Sequence, residues 1–451
     1  MTTQKRVIPV KQLFDGPVRE YSVYANQRAI PSLMDGFKPS QRKAIYGTLR
    51  RAGSIPETGI KVSQLAAAVS MVAAYHHGEA SLEATIVGLA QDFAGANNLN
   101  YLEPLGQFGS RLSPTNAASR YIFTKMTPAF RKIFKREDDL ILEHLEEDGE
   151  EIEPKFYIPI LPNVLINGVA GMGTGFATKI LPYNPNDLKK YILNKLKGKT
   201  TNIKLVPWYR GFTGTVERLA SGQVLIKGKV EKVNSTTLLV SELPIGTYQD
   251  DYKEVLLKLI DLSYIKDYEN RSTSKKFEFE LTVPRTTGYE DEDVLMQKLK
   301  LTSRESENLT VWLPNGKLKC FSSPEELCDA FIEERVKLYE VRRLRMIEAL
   351  TKDLELLQEK VHFINMYLER SQEFSKLTKA QLEELLINNG FKHIDKLLEI
   401  RIYNLTKDQI DKLLAEVEAV KNEIAYYEAT TAEALYVKDL EELDLSKDLA
   451  V

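Results

Sequence analysis

From Ser40 to Asp92 the apolar residues recur at helical spacing, and the pattern predicts three short helices. Ser40 is placed to cap QRKAIYGTLRRA, Lys61 to Tyr75 is Ala-rich, and Ser81 to Phe93 repeats the style, with turns at Gly53-Ser54 and His77-Gly78. The strand-like run Tyr121-Ile122-Phe123-Thr124 follows. Three helices and a strand suit a winged helix-turn-helix, and equally any small helical subdomain. From Phe156 to about Cys320 the pattern turns β-rich: TGTVERL, QVLIKGKV, TTLLVSEL, KFEFELTV and LTVWLP are short β-branched or aromatic runs, with a helix over Asp250 to Leu262. Ser323-Pro324-Glu325-Glu326 then carries a Ser cap, Pro at the first helical position and Glu at the capping-box position.

Beyond it Ile347, Leu350, Leu354, Leu357, Val361, Ile364 and Leu368 alternate spacings of three and four, a coiled-coil seam. One helix over Pro324 to Arg370 would reach about 70 Å. The seam breaks into a small helical cluster near Gln372 to Arg401. A second box, Thr406-x-x-Gln409, starts a returning helix with Ile410, Leu413, Val417, Val420, Ile424 and Tyr427 at the same spacings. An antiparallel arm with a small globular knob is the simplest geometry, and a compact bundle is the alternative. The chain divides into 1–155, 156–320 and 321–451, the last holding arm helices at about 324–370 and 406–428, a knob at about 371–405 and an acidic tail.

Composition narrows the class. The 451 residues carry 61 basic and 64 acidic side chains, so a uniformly basic nucleic-acid wrapper is excluded. Residues 1–140 nevertheless hold 18 basic against 11 acidic side chains, which places any polyanion site in the first third. Cys320 and Cys328 lack metal or disulfide spacing and point to a reducing compartment. No apolar signal segment opens the sequence. Phe156 to Thr178 is uncharged, but its prolines and four glycines exclude a membrane-spanning helix.

Standard catalytic motifs are missing. There is no GxxxxGK[ST], GxSxG or HExxH, and Gly168 to Gly175 fails GxGxxG because position 176 is Phe. Alone, the chain is expected neither to hydrolyse ATP nor to build a Mg²⁺ site. Lys38-Pro39-Ser40-Gln41-Arg42-Lys43 gathers donors at a helix start, which suits phosphate. His76 and His77 end another helix with further donors. Arg111, Arg120 and Lys125 are expected around Tyr121, whose hydroxyl could attack a phosphodiester. A phenol ionises at about 10 in water, so neighbouring cations must stabilise the phenolate. A phosphotyrosyl ester keeps the energy of the broken bond, which suits cutting and resealing without fuel. From these features alone, a DNA-binding module with a dimerising arm is as far as the reading goes.

DGFKPSQRK (Asp35 to Lys43), KVSQLAAAVS (Lys61 to Ser70), YHHGEASL (Tyr75 to Leu82), NNLN (Asn97 to Asn100), GQFGSR (Gly106 to Arg111) and AASRYIFT (Ala117 to Thr124) occur in order. EPKFYIPILPNVLINGVAGMGTGFAT (Glu153 to Thr178) and NSTTLLVSELP (Asn234 to Pro244) follow. Together they resemble the DNA-cleavage half of type IIA DNA topoisomerases, closer to the eukaryotic and T-even-type phage branch than to gyrase.

The resemblance implies an α+β fold: a winged-helix DNA-binding domain, a mixed α/β tower domain, and a long antiparallel coiled-coil arm with a small helical gate near Leu377 to Ile402. It implies Tyr121 as the nucleophile that takes the 5′ phosphate and Arg120 as its transition-state partner. Lys38, Arg42, Lys43, His76, His77 and Arg111 fall at the bound DNA. Met172, where eukaryotic relatives usually have isoleucine, falls on a tip that wedges between base pairs. Ser113-Pro114-Thr115-Asn116 departs from the Gly-Gly-Lys-Asp-like stretch of cellular enzymes, so no contact is carried over there.

The implied partners are double-stranded DNA, a second copy of the chain through the gate, and a large subunit bearing the ATPase and the TOPRIM domain that binds Mg²⁺. The Met close before the first motif suggests a separately encoded cleavage subunit like those of T-even-type phages, acting in a bacterial host cytoplasm. The short stretch after the arm suggests relaxation and decatenation without active supercoiling. A non-catalytic architectural DNA binder is the rival reading.

Overall fold

The computed structural model describes residues 9–374, 376–401, 403 and 405–450. Two compact units emerge: the described residues up to Arg136 with Leu142–Arg335 and those from Asp439 onward, and a second unit of Glu137–Ile141 and Val336–Lys438. Among the described residues no helix is long and apolar enough to cross a membrane. Cys320 and Cys328 are both free thiols.

In the first unit, Val10–Leu13, a π-helical turn at Phe14–Val18 and Arg19–Ala29 run on as one helical segment. Three helices then pack on one another: Pro39–Arg51, Val62–Val72 and Glu79–Ala90. Their inward faces are small and apolar, with Ala44, Ile45, Leu65, Ala66, Val69, Leu82 and Ile86 fully buried. Gly47 is needed at the first crossing, because a Cβ there would lie 2.6 Å from Val69 Cγ2. Ile60–Lys61 pairs antiparallel with Phe123–Thr124, completing the winged-helix arrangement. Ser40 is not the cap. Pro39, with no N–H to satisfy and φ already helical, takes the first helical position, so Lys38 is the cap residue and its N–H donates to Gln41 Oε1 at 2.9 Å.

The β-rich stretch forms several antiparallel sheets. One has the order Asp267–Asn270, Phe279–Thr282, Thr237–Glu242, Lys229–Asn234, and another Thr302–Glu305, Val224–Lys227, Thr215–Arg218. Helices Gln249–Asp261 and Glu292–Lys298 cover the first with Tyr252, Leu256 and Leu295 against Leu238, Val240, Phe279 and Leu281. Leu309–Trp312 pairs with Leu318–Phe321, and Val169–Met172 with Ala177–Ile180. All five predicted runs contain strands.

The long helix runs Pro324–Glu369. At its start Glu326 N–H donates to Ser323 Oγ at 3.1 Å, while Glu326 Oε2 accepts from the Ser322 N–H at 2.8 Å and hydroxyl at 2.7 Å. Those bonds, with Lys319, pull the Glu326 pKa from 4.5 to about 2. A depressed folded value means that this contribution is complete above the ordinary carboxylate range and is lost as pH falls through the folded value. Amide exchange at Leu327 and Cys328 should therefore speed up on acidification from 4.5 to about 2, beyond the intrinsic pH effect. Unchanged protection there would count against the cap.

In the second unit, Arg343 Nη1 donates to Tyr427 O at 3.1 Å, and farther along Phe363 and Ile364 share a core with Ile410 and Leu413. Helix Lys407–Ala429, capped by Thr406, is therefore antiparallel to the long helix. Phe374, Leu386, Phe391 and Leu397 join the same core from Ser371–Phe374, Lys379–Asn388 and the stretch that ends in Ile394–Leu398. This is the predicted knob; Ile402, at its expected edge, lies outside the described residues.

The expected acidic tail is not a solvated tail. A helix over Ala432–Glu442 leads to buried Leu440, Leu443 and Leu445. In the first unit the tail meets a set of cations: Lys132 Nζ lies 2.7 Å from Asp448 Oδ2, Arg210 Nη1 donates to Asp448 O at 2.7 Å, and Lys189 Nζ to Leu443 O at 2.8 Å. One tail carboxylate and two tail carbonyls thus accept from basic side chains of the first unit.

Candidate nucleic-acid interface

Tyr121 closes the turn that leads into the strand Phe123–Thr124, its N–H donating to Ala118 O at 2.9 Å. Phe123 exchanges backbone bonds with Leu105 at 3.0 and 2.9 Å, and Ile122 O accepts from Val62 N at 3.0 Å. Ile122 and Thr124 are buried, whereas Tyr121, at the end of the turn, has 68% of its surface exposed. The preceding turn is pinned by Ser119, whose hydroxyl donates to Glu83 Oε1 at 2.6 Å and whose carbonyl accepts from Ser63 N at 3.3 Å. The Arg120 guanidinium stands 5.1 Å from the Tyr121 ring centroid.

The other two expected cations are elsewhere. Lys125 pairs with Glu57 at 2.7 Å and Glu103 at 3.6 Å. Arg111, expected at the DNA, is turned inward. It is 6% exposed, donating from Nη1 to Thr247 O at 3.0 Å and from Nη2 to Leu243 O at 2.7 Å and Glu242 Oε1 at 3.2 Å, over the Phe277 ring. The Gly-Ser-Arg string thus ends in a strut between the winged helix and the following sheet. Arg111→Met should lower unfolding free energy by about 3–5 kcal/mol, the cost of leaving Glu242 buried and unpaired. It should leave the DNA affinity of the folded fraction unchanged. Urea titration and salt-dependent binding measure the two separately.

Arg42 is likewise turned inward. Its Nε and Nη2 hold buried Asp35 at 2.6 and 3.2 Å, and Nη2 also donates to Phe37 O at 2.8 Å. Lys43 Nζ donates to Ala73 O at 2.5 Å and Glu153 Oε2 at 3.0 Å. Lys43, His76 and His77 nevertheless line one open pocket of about 370 Å³, together with Tyr24, Arg28, Ser40 and Glu147. His76 Nε2 lies 2.5 Å from Glu147 Oε1, and His77 Nε2 3.3 Å from Tyr24 Oη. The sequence reading missed Arg28 and Tyr24. Their only signal was a position one helix upstream of the Lys-Pro-Ser-Gln-Arg start.

Met172 stands 88% exposed on the hairpin of Val169–Met172 and Ala177–Ile180, facing Ala177 across the pair. Its glycine neighbours lie against the end of helix Arg19–Ala29: a Cβ at Gly171 would fall 2.0 Å from Ala29 O, and one at Gly173 2.0 Å from Asn26 Oδ1. Lys38, expected at the DNA, donates from Nζ to Ala170 O at 2.7 Å behind this hairpin. Burial holds the Lys38 pKa below its ordinary value.

Among the described residues no group of three or more His, Cys, Asp or Glu side chains is placed to hold a metal ion. No phosphate-cradling glycine loop with Lys-Ser/Thr occurs for ATP.

The sequence profile for the gyrase-A-type chain of "DNA gyrase/topoisomerase IV" matches residues 28–445. The chain is 34% identical to "DNA topoisomerase 2" of Arabidopsis thaliana, over 94% of this chain and 32% of that one. It is 35% identical to "DNA topoisomerase 2, mitochondrial" of Dictyostelium discoideum, over 94% and 34%. The chain therefore spans about a third of the length of these curated relatives. A crystal structure of the Plasmodium falciparum topoisomerase II DNA-binding, cleavage and re-ligation domain superposes with a TM-score of 0.89 at 33% identity, covering 95% of this chain and 63% of that one.

Proposed function

We propose, from the premise that this chain belongs to the gyrase-A-type family of DNA gyrase and topoisomerase IV, that it is the DNA breakage–reunion part of a type II topoisomerase. The observation that carries the chemistry is an exposed Tyr121 on a hydrogen-bonded turn just before an anchored strand, with the Arg120 guanidinium beside its ring. In this reading Tyr121 Oη attacks a backbone phosphorus. The Oη–P bond forms as the P–O3′ bond breaks, the phenolic proton leaves to solvent, and the 3′ oxygen takes one up. Arg120 offsets the charge that builds on the phosphoryl oxygens. Religation is the reverse step and conserves the bond. Lys43, His76 and His77, gathered in one pocket with Arg28, contact the DNA backbone, and Met172 enters a base step to bend the duplex.

Two copies, meeting through the helical gate, cut the two strands so that a second duplex passes, which relaxes and decatenates DNA. We assign ATP hydrolysis and the Mg²⁺-binding carboxylates to a large partner subunit with ATPase and TOPRIM domains. This chain is then the medium subunit of a T-even-type phage enzyme working in the host cytoplasm. The cleavage motifs resemble the eukaryotic and T-even-type phage branch alike, and the eukaryotic relatives are single chains about three times this length. Finding these residues within a longer native polypeptide would overturn the division into separate chains.

The function is tested by stopping the complete complex on plasmid with SDS. Protein linked to 5′ ends is expected. Plasmid bound but never linked would identify the architectural DNA binder. The chain by itself should bind DNA in a salt-sensitive way and cleave poorly until partner and Mg²⁺ are added. Strong metal-independent cleavage by the isolated chain would refute the divided site.

A further inference from the structure

We propose that Lys38 and Asn26 are positioning residues for the DNA wedge: they grip the inner face of the Val169–Ile180 hairpin and fix the direction in which Met172 projects. The inference rests on the reading of Met172 as the wedge. The two grips bracket that residue. Lys38 Nζ donates to Ala170 O at 2.7 Å on one side, and Asn26 Nδ2 donates to Thr174 O at 3.1 Å on the other.

The ribbon lies directly on these groups. Cβ atoms at Gly171 and Gly173 would sit 2.0 Å from Ala29 O and from Asn26 Oδ1, and the Gly171 Cβ only 3.3 Å from Lys38 Nζ. Asn26 is itself held in place: it is 4% exposed, and its backbone carbonyl accepts from Ile30 N at 2.9 Å and Trp312 Nε1 at 3.2 Å. The hairpin base is fixed separately, by Lys179 and Asn308 exchanging both backbone bonds at 2.9 Å. A lysine serving only as a phosphate contact would keep its ammonium in water. This one has exchanged part of its hydration for a peptide carbonyl, and burial lowers its pKa.

The physical need is plain. Opening a base step costs stacking energy. A two-stranded ribbon fixed only at its base can rock, and a side chain on a rocking ribbon slides along the groove instead of entering the step. Grips on both sides of Met172 turn the ribbon into a rigid mount.

The test uses the full chain and a duplex labelled at both ends, so that bending is read as energy transfer, with cleavage read in the complete complex. Lys38→Met, which loses a charge-assisted hydrogen bond, and Asn26→Asp, close to isosteric but turning a donor into a carboxylate that faces the Thr174 carbonyl, should each lower the bent fraction and the cleavage rate about tenfold. Lys38→Arg should recover part of it. A duplex made flexible by a short bulge at the bend should restore cleavage in both variants.

If Met172→Ala straightens the DNA while both grip variants bend it fully, the positioning role is overturned and the wedge survives. If Met172→Ala leaves the DNA bent, the wedge reading itself falls. Equal loss of affinity for plain and bulged duplexes in Lys38→Met would make Lys38 a phosphate contact and overturn its role here. Should Asn26→Asp melt early, the Lys38→Met and Lys38→Arg pair decides alone.

Discussion

Tyr121→Phe should give a folded protein that binds duplex DNA, assembles normally and forms no covalent adduct. The hydroxyl sits on a side chain that is mostly in solvent, so its loss should change stability by no more than about 0.5 kcal/mol. The ring stays, and with it the Arg120 stacking at 5.1 Å, so the local turn should persist. What disappears is the only atom of this side chain able to bond phosphorus. Adduct yield, measured after SDS arrest on end-labelled plasmid, should drop to background while gel-shift affinity holds. Adduct at the normal yield in this variant would remove Tyr121 from the chemistry and leave the proposed mechanism without a nucleophile.

The largest effect on stability should come from Asp35→Ala. Asp35 is fully buried, yet its carboxylate accepts from Arg42 Nε and Nη2, from Phe37 N at 3.0 Å and from Tyr157 N at 2.9 Å. It ties the start of helix Pro39–Arg51 to the segment that leads into the Met172 hairpin. Removing it strands a largely buried guanidinium and two buried N–H groups. The expected loss is about 3–5 kcal/mol from the broken ion pair, with a further part from the orphaned donors. Urea unfolding monitored on the first unit measures it. The double variant Asp35→Asn/Arg42→Met should recover part of the loss, because it removes the uncompensated charge. A wild-type midpoint for Asp35→Ala would show that the carboxylate is no hub.

That pair also shows where sequence reading stops. Arg42 reads as a phosphate contact because charge at a helix start is visible along the chain, whereas the carboxylate that consumes it is defined only by the fold. Arg111 is the same case at longer range, since its carboxylate Glu242 lies 131 positions away. Two of the three predicted caps and the seams were legible because their information is local: Ser323 and Thr406 cap the helices their neighbours predict, while Ser40 does not. Tyr121 came from the family resemblance, because one tyrosine of 21 in a run equally suited to packing carries no local mark of its own. The strands Asp267–Asn270 and Thr302–Glu305 were not foreseen. Each is a polar edge strand held by backbone pairing to one neighbour, and it needs no apolar alternation. The burial of leucines within the acidic C-terminal stretch was not foreseen, because charge dominates its local pattern while the surface that covers Leu443 and Leu445 is defined only by the fold.

The two glycines beside Met172 carry one more implication. Their missing side chains seat the ribbon, so the identity of residue 172 is free of any duty to the fold. Wedge size there is an interchangeable part: Ala, Val, Leu and Phe at 172 should melt alike while grading DNA curvature, which would let bend stiffness drift between related enzymes without disturbing anything beneath it.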